Sequence, residues 1–111
     1  RIKMVKPGQD IVTGLHVLET YGHTPGHISL QVGSGNDRIV VLGDAFTHPV
    51  ISFEHPDWQP AGDQQPDRAV ATRKRLLTAL AADRIRIIGY HLSPPGLGRV
   101  EKTGSTYRFV T

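Results

Sequence analysis

Three residues of this 111-residue chain, His23, Asp44 and His91, are two imidazoles and a carboxylate, donor types that together can hold a metal ion. The chain has no cysteine, which excludes disulfides and thiolate ligands, so any metal must be bound through nitrogen and oxygen. His23 lies in Gly22-His23-Thr24-Pro25-Gly26-His27, where Pro25 removes a backbone donor and restricts Thr24. Such a turn holds side chains in fixed directions, as a ligand requires. Asp44 follows the apolar run Ile39-Val40-Val41-Leu42 and Gly43, a setting where a carboxylate is costly unless paired or bound to a cation. His91 ends a second apolar run after Gly89-Tyr90, and neutral imidazole is a common zinc ligand. Each has an ordinary alternative. Loop histidines often serve as surface polar residues, Asp44 could cap a helix or turn, and His91 could be a buried, hydrogen-bonded histidine.

Positioning these residues takes strands. Leu15 to Thr20 is rich in strand formers, and Ile28 to Val32 alternates apolar and polar residues. Turn chemistry from Gly33 to Asp37 predicts an antiparallel hairpin into Arg38 to Leu42. Thr47 to Gln65, with three prolines, one glycine and the only tryptophan, reads as a long loop. Pro66 suits a first helical position, and Val70, Arg73, Leu76, Leu77 and Leu80 predict an amphipathic helix to about Ala82. In this reading the stem of Arg73 borders the apolar stripe and its charge stays in water. Arg84 to Gly89 predicts a strand ending at Tyr90-His91, and Gly98 to Lys102 with Thr106 to Val110 a terminal hairpin. The expected fold class is α/β, with the candidate ligands at strand ends along one sheet edge. One helix covers one sheet face, so the other needs a second layer, from a missing N-terminal half or a second copy of the chain.

Hydrophobic residues at 38% and charged residues at 21% indicate an ordered globular chain, read as a single partial domain over residues 1–111. A formal charge of +3 raises nucleic acid as a partner, but the basic residues are scattered and no aromatics interleave with them, so none is expected. Arg73-Lys74-Arg75 is the only basic run and reads as a solvated helix face. No apolar run approaches the roughly 20 residues of a membrane span. A membrane partner is not expected, and a soluble, cytoplasmic setting is slightly favoured. The opening Arg1-Ile2-Lys3-Met4-Val5 lacks the regions of a signal peptide and reads as an internal start.

The series Gly22-His23-Thr24-Pro25-Gly26-His27, Gly43-Asp44 and Gly89-Tyr90-His91 resembles the later motifs of the metallo-β-lactamase superfamily, in order and interval, across about Gly14 to Val110. The segment from Tyr90-His91-Leu92 through Pro95-Gly96-Leu97-Gly98, with the Asp67 to Leu80 helix, is further similar to the branch containing methyl parathion hydrolase and related lactonases. The resemblance implies the C-terminal half of an αββα sandwich, a largely antiparallel or mixed sheet covered by one main helix. By it, His23 binds one metal, Asp44 bridges two and is the central catalytic residue, and His91 binds the second. His27 stands behind the ligands and orients one of them, while Phe46, His48, Phe53, His55 and Trp58 could line a substrate pocket. The implied cofactor is a pair of divalent ions, zinc favoured. The implied chemistry is attack of a metal-bridging hydroxide on an ester, lactone or phosphotriester of a small-molecule substrate. The family's earlier His-x-His-x-Asp-His motif, which supplies four ligands, does not occur in these residues. The expectation is therefore part of a hydrolase, inactive by itself and holding one metal weakly or none. The alternative is a non-catalytic half-fold that pairs with another chain as a structural or interaction module.

Overall fold

Period-two alternation and glycine-rich turns fold the chain into strands, each of which pairs with its neighbours in sequence. In the computed structural model, which describes residues 1–111, one sheet holds seven strands in sequence order. They are β1 (Asp10–Val12), β2 (Leu15–Glu19), β3 (Ile28–Ser34), β4 (Asp37–Val41), β5 (Arg86–Ile88), β6 (Leu97–Thr103) and β7 (Thr106–Val110). All neighbours run antiparallel except β4 and β5, which run parallel. Parallel neighbours need a crossover, which residues 42–85 supply with α1 (Ile51–Glu54) and α2 (Pro66–Ala82). The sheet is therefore mixed, as expected. The hairpin at Gly33 to Asp37 is present, with Ser34 opposite Asp37. Two details differ from the sequence reading. β1 was not foreseen, being only three residues long, and the long loop holds the single turn of α1.

Register assigns the two faces. Val40 lies opposite Ile87, and both are buried, as is Val100 of β6. Leu76, Leu77 and Leu80 of α2 belong to the same core and cover this face. Phe46 and Phe53 also belong to it, being 1% and 0% exposed and stacked with ring centroids 5.0 Å apart. The sequence reading places both on a loop as candidate pocket residues; in the fold they are buried in the core, Phe53 within the α1 turn. On the opposite face Leu30, Val41, Ile88 and Leu97 follow one another across β3 to β6. Ile88 and Leu97 remain 39% and 41% exposed, as does Val32 at 43%. This apolar face is uncovered, as the one-helix reading expects. No helix is long and apolar enough to cross a membrane.

Helix α2 begins with Pro66, where a missing N–H costs nothing. It ends in a Schellman arrangement, Ile85 N–H bonding to the Leu80 carbonyl and Arg84 N–H to that of Ala81. This requires a left-handed residue, and Arg84 takes it at φ 51°. Left-handed backbone costs a side-chain-bearing residue about 1–2 kcal/mol. The substitution Arg84→Gly is expected to raise the melting temperature by a few degrees in thermal circular dichroism. An unchanged or lower value would show that the conformation carries no strain.

Candidate metal centre

The site starts where β4 stops. Leu42 still donates its N–H to the Ile88 carbonyl at 2.9 Å, and Gly43 then turns the chain at φ 60° into a single 3-10 turn, Gly43–Ala45. The Asp44 N–H donates to Nε2 of His27 at 2.9 Å. A Cβ on Gly43 would stand 2.8 Å from that same nitrogen, so both the backbone angle and the close approach demand glycine. Because Nε2 accepts, Nδ1 of His27 carries the proton, with the Thr20 carbonyl at 3.1 Å and Thr20 Oγ1 at 2.8 Å. Ser29 Oγ donates to the Leu42 carbonyl at 2.9 Å and lies 3.0 Å from Thr20 Oγ1. The three strand ends are thus tied by a chain in which every donor finds an acceptor, a condition for placing polar groups where Thr20 and Ser29 are each only 1% exposed. Burial lowers the His27 pKa below its ordinary 6.5, favouring the neutral ring this chain requires.

The carboxylate of Asp44 stands between two imidazoles. His91 Nε2 lies 2.9 Å from Oδ1, and His23 Nε2 lies 3.4 Å from Oδ2. Tyr90 donates its hydroxyl to Oδ1 at 2.8 Å. Burial alone would raise the Asp44 carboxyl, but the bonds from Tyr90 and His91, together with the electrostatic influence of the neighbouring His23 and His91, outweigh it and hold the group below the usual carboxylate range. The same bond raises the Tyr90 hydroxyl. The three expected ligands therefore meet, each imidazole facing a different carboxylate oxygen. No three His, Asp or Glu side chains surround a single point where an ion could sit. The donors fit a divalent ion in type but not in number, because each side of Asp44 offers one nitrogen and one oxygen where zinc ordinarily takes four ligands.

His23 is held from behind. Its turn closes with Gly22 N–H on the Thr24 carbonyl, and Gly22 lies so close to Ala69 of α2 that a Cβ would collide with the Ala69 backbone. Gln64 and Gln65 donate their N–H groups to the carbonyls of His23 and Gly22. Nδ1 of His23 lies 3.0 Å from Oδ1 of Asp63, whose Oδ2 accepts from Nη1 of Arg73 at 3.0 Å. Arg73 is 3% exposed, so its charge does not stay in water; Asp63 and two loop carbonyls provide the buried acceptors that make this tolerable. Lys74 and Arg75 are exposed, as a solvated helix face requires. Asp63 escaped the sequence reading, although an arginine inside the apolar stripe of a helix was itself a sign that a buried anionic partner lay elsewhere. Of the remaining expected pocket residues, His48 Nδ1 accepts the N–H groups of Val50 and Ile51 at the start of α1, and Trp58, 52% exposed, stacks on His55.

No family model matches the chain, and no curated protein matches it. Solved structures do. AidC, described as a dizinc quorum-quenching lactonase in complex with an N-acyl-homoserine product, is 31% identical with a TM-score of 0.89 over 97% of this chain. AbOPH, a hydrolase of the β-lactamase superfamily, is 31% identical with a TM-score of 0.88 over 96%. AiiA of B. thuringiensis, solved with N-decanoyl-L-homoserine at its active site, is 25% identical with a TM-score of 0.63 over 78%. The chain spans 37%, 36% and 34% of those chains. Over the stretch it spans, the chain has the α/β fold of metallo-β-lactamase superfamily hydrolases, and the resemblance read from its motifs stands.

A neutral buried imidazole makes stability depend on pH. With the folded-state pKa of His27 lowered, the unfolded chain binds its proton first, so the contribution of His27 is complete above about 6.5 and is lost as pH falls through the lower folded value. Urea unfolding at pH 8 and pH 5 is expected to show the loss. The substitution His27→Phe should cost about 1–3 kcal/mol at pH 8, because it leaves the Asp44 N–H without its acceptor, and should flatten the pH dependence. An unchanged slope would contradict this role.

Proposed function

We propose that this chain is a single partial domain, the C-terminal part of a dinuclear metal-dependent hydrolase acting on ester, lactone or phosphotriester bonds, with a lactone favoured. The observation that supports this most is the Asp44 carboxylate standing between His23 and His91, one imidazole to each oxygen. In this reading His23 would hold one ion and His91 the other, and Asp44 would be the central catalytic residue, offering one carboxylate oxygen toward each. The ions, zinc favoured, supply a hydroxide nucleophile and polarise the substrate oxygen when bound. The remaining ligands come from residues outside the 111, and His27 fixes where the bridging carboxylate stands. The preference for a lactone rests on AidC and AiiA, whose structures hold homoserine products or ligands. Trp58, exposed on the 55–65 loop that touches His23, is the best candidate for a substrate wall.

The exposed apolar face of Val32, Ile88 and Leu97 favours a related second reading, in which the half-fold pairs through that face with its missing layer or a second copy. Both readings are tested by zinc content after gel filtration. A form extended upstream of Arg1 is expected to hold two equivalents of zinc and hydrolyse a lactone, and the 111-residue chain fewer than two with no hydrolysis. Changing Asp44→Ala in the extended form should remove the second equivalent and the activity. Two equivalents retained by that variant, or held tightly by the short chain, would contradict the bridging role and the missing-ligand account.

A further inference from the structure

One cluster remains outside that account: Asp63 and Arg73, whose side chains are only 1% and 4% exposed. Arg73 places Nη1 on Asp63 Oδ2 at 3.0 Å, Nε on the Pro56 carbonyl at 3.2 Å and Nη2 on the Trp58 carbonyl at 2.9 Å. A guanidinium satisfied on three sides cannot swing, so the Asp63 carboxylate it grips is fixed as well. The other oxygen of Asp63 lies 3.0 Å from Nδ1 of His23. A carboxylate can only accept there, so the proton of a neutral His23 ring belongs on Nδ1. Nε2 then turns a lone pair toward Asp44 Oδ2 across 3.4 Å, and two facing lone pairs are an arrangement that a shared cation relieves.

We propose that Asp63, clamped by Arg73, is a positioning residue that holds His23 in its Nδ1–H form with Nε2 presented toward Asp44. The same clamp holds the Trp58 backbone, so the loop bearing the candidate substrate wall and the candidate ligand His23 move as one body. The purpose of this device rests on the metal reading above, but the state of the ring does not, and it can be read without metal.

The test compares two double variants of the full chain, each lacking the buried ion pair. Asp63→Asn with Arg73→Met keeps an oxygen that can accept from Nδ1–H, whereas Asp63→Leu with Arg73→Met keeps none. An apolar replacement of a buried pair is often tolerated, which makes the second variant a fair comparison. Long-range nitrogen–proton NMR of the imidazoles, recorded without metal at about pH 8, above the ordinary histidine range, reads the tautomer directly. Wild type and the Asn variant are expected to show His23 protonated on Nδ1, and the Leu variant a mixture. With zinc alone as probe, and with the same two double variants made in the form extended upstream of Arg1, the Leu variant should bind about 10–100-fold more weakly than the Asn variant. A merely structural ion pair would leave the two variants alike, and that result would overturn the proposal. A wild-type His23 protonated only on Nε2 would overturn it too, even if the Leu variant failed to fold. Absence of zinc binding in every variant of the form extended upstream of Arg1 would instead count against the metal reading and leave the tautomer result standing.

Discussion

The position of the Asp44 carboxylate depends on one hydrogen bond, from its own backbone N–H to Nε2 of His27. That bond requires a neutral ring, which burial favours, and a proton on Nδ1, which Thr20 accepts. It also requires Gly43, since a Cβ there would push against the accepting nitrogen. The buried hydroxyls of Thr20 and Ser29 then join β2, β3 and the residue after β4 at one end of the sheet. The polar chain is costly to bury and tolerable only because each member is satisfied. What it yields is a carboxylate fixed by main chain as well as side chain.

A second constraint acts from the helix side. The Gly22 turn rests directly on Ala69, Thr72 donates to the Tyr21 carbonyl at 2.7 Å, and the Arg73–Asp63 pair reaches His23. Helix α2 therefore does more than close the core over Val40 and Ile87; it sets the side chain that faces Asp44. Breaking a buried pair by removing one partner typically costs about 3–5 kcal/mol, so this link has far less freedom than an exposed ion pair such as Arg108 with Glu101. Stability and site geometry are coupled here through the same residues.

Much of this was legible in the sequence, for physical reasons. Helix α2 has the bounds that Pro66 and the three-to-four spacing predict, and the ends of β4 and β5 deliver Asp44 and His91 where apolar runs stop. Periodicity reports which face of an element is buried, and turn residues report where it ends. Neither reports pairing between distant polar side chains. Asp63 lies 40 residues from His23 and in a loop without period, so its contact follows only from the folded crossover. The same limit hides the burial of Phe46 and Phe53, because residues after a strand look alike in sequence whether they open toward solvent or fold back into the core. Arg73 was misread for another reason: an arginine on a helix is usually wet, and here three acceptors were waiting for it.

The central claim is that His23, Asp44 and His91 are one side of a shared two-metal site whose remaining ligands lie outside these 111 residues. Anomalous diffraction at the zinc edge, from crystals of a form extended upstream of Arg1, tests it most directly. The account predicts two zinc peaks flanking the Asp44 carboxylate, with His23 on one ion and His91 on the other. Zinc bound elsewhere, or Asp44 still bonded to Tyr90 and His91 beside an empty position, would contradict it.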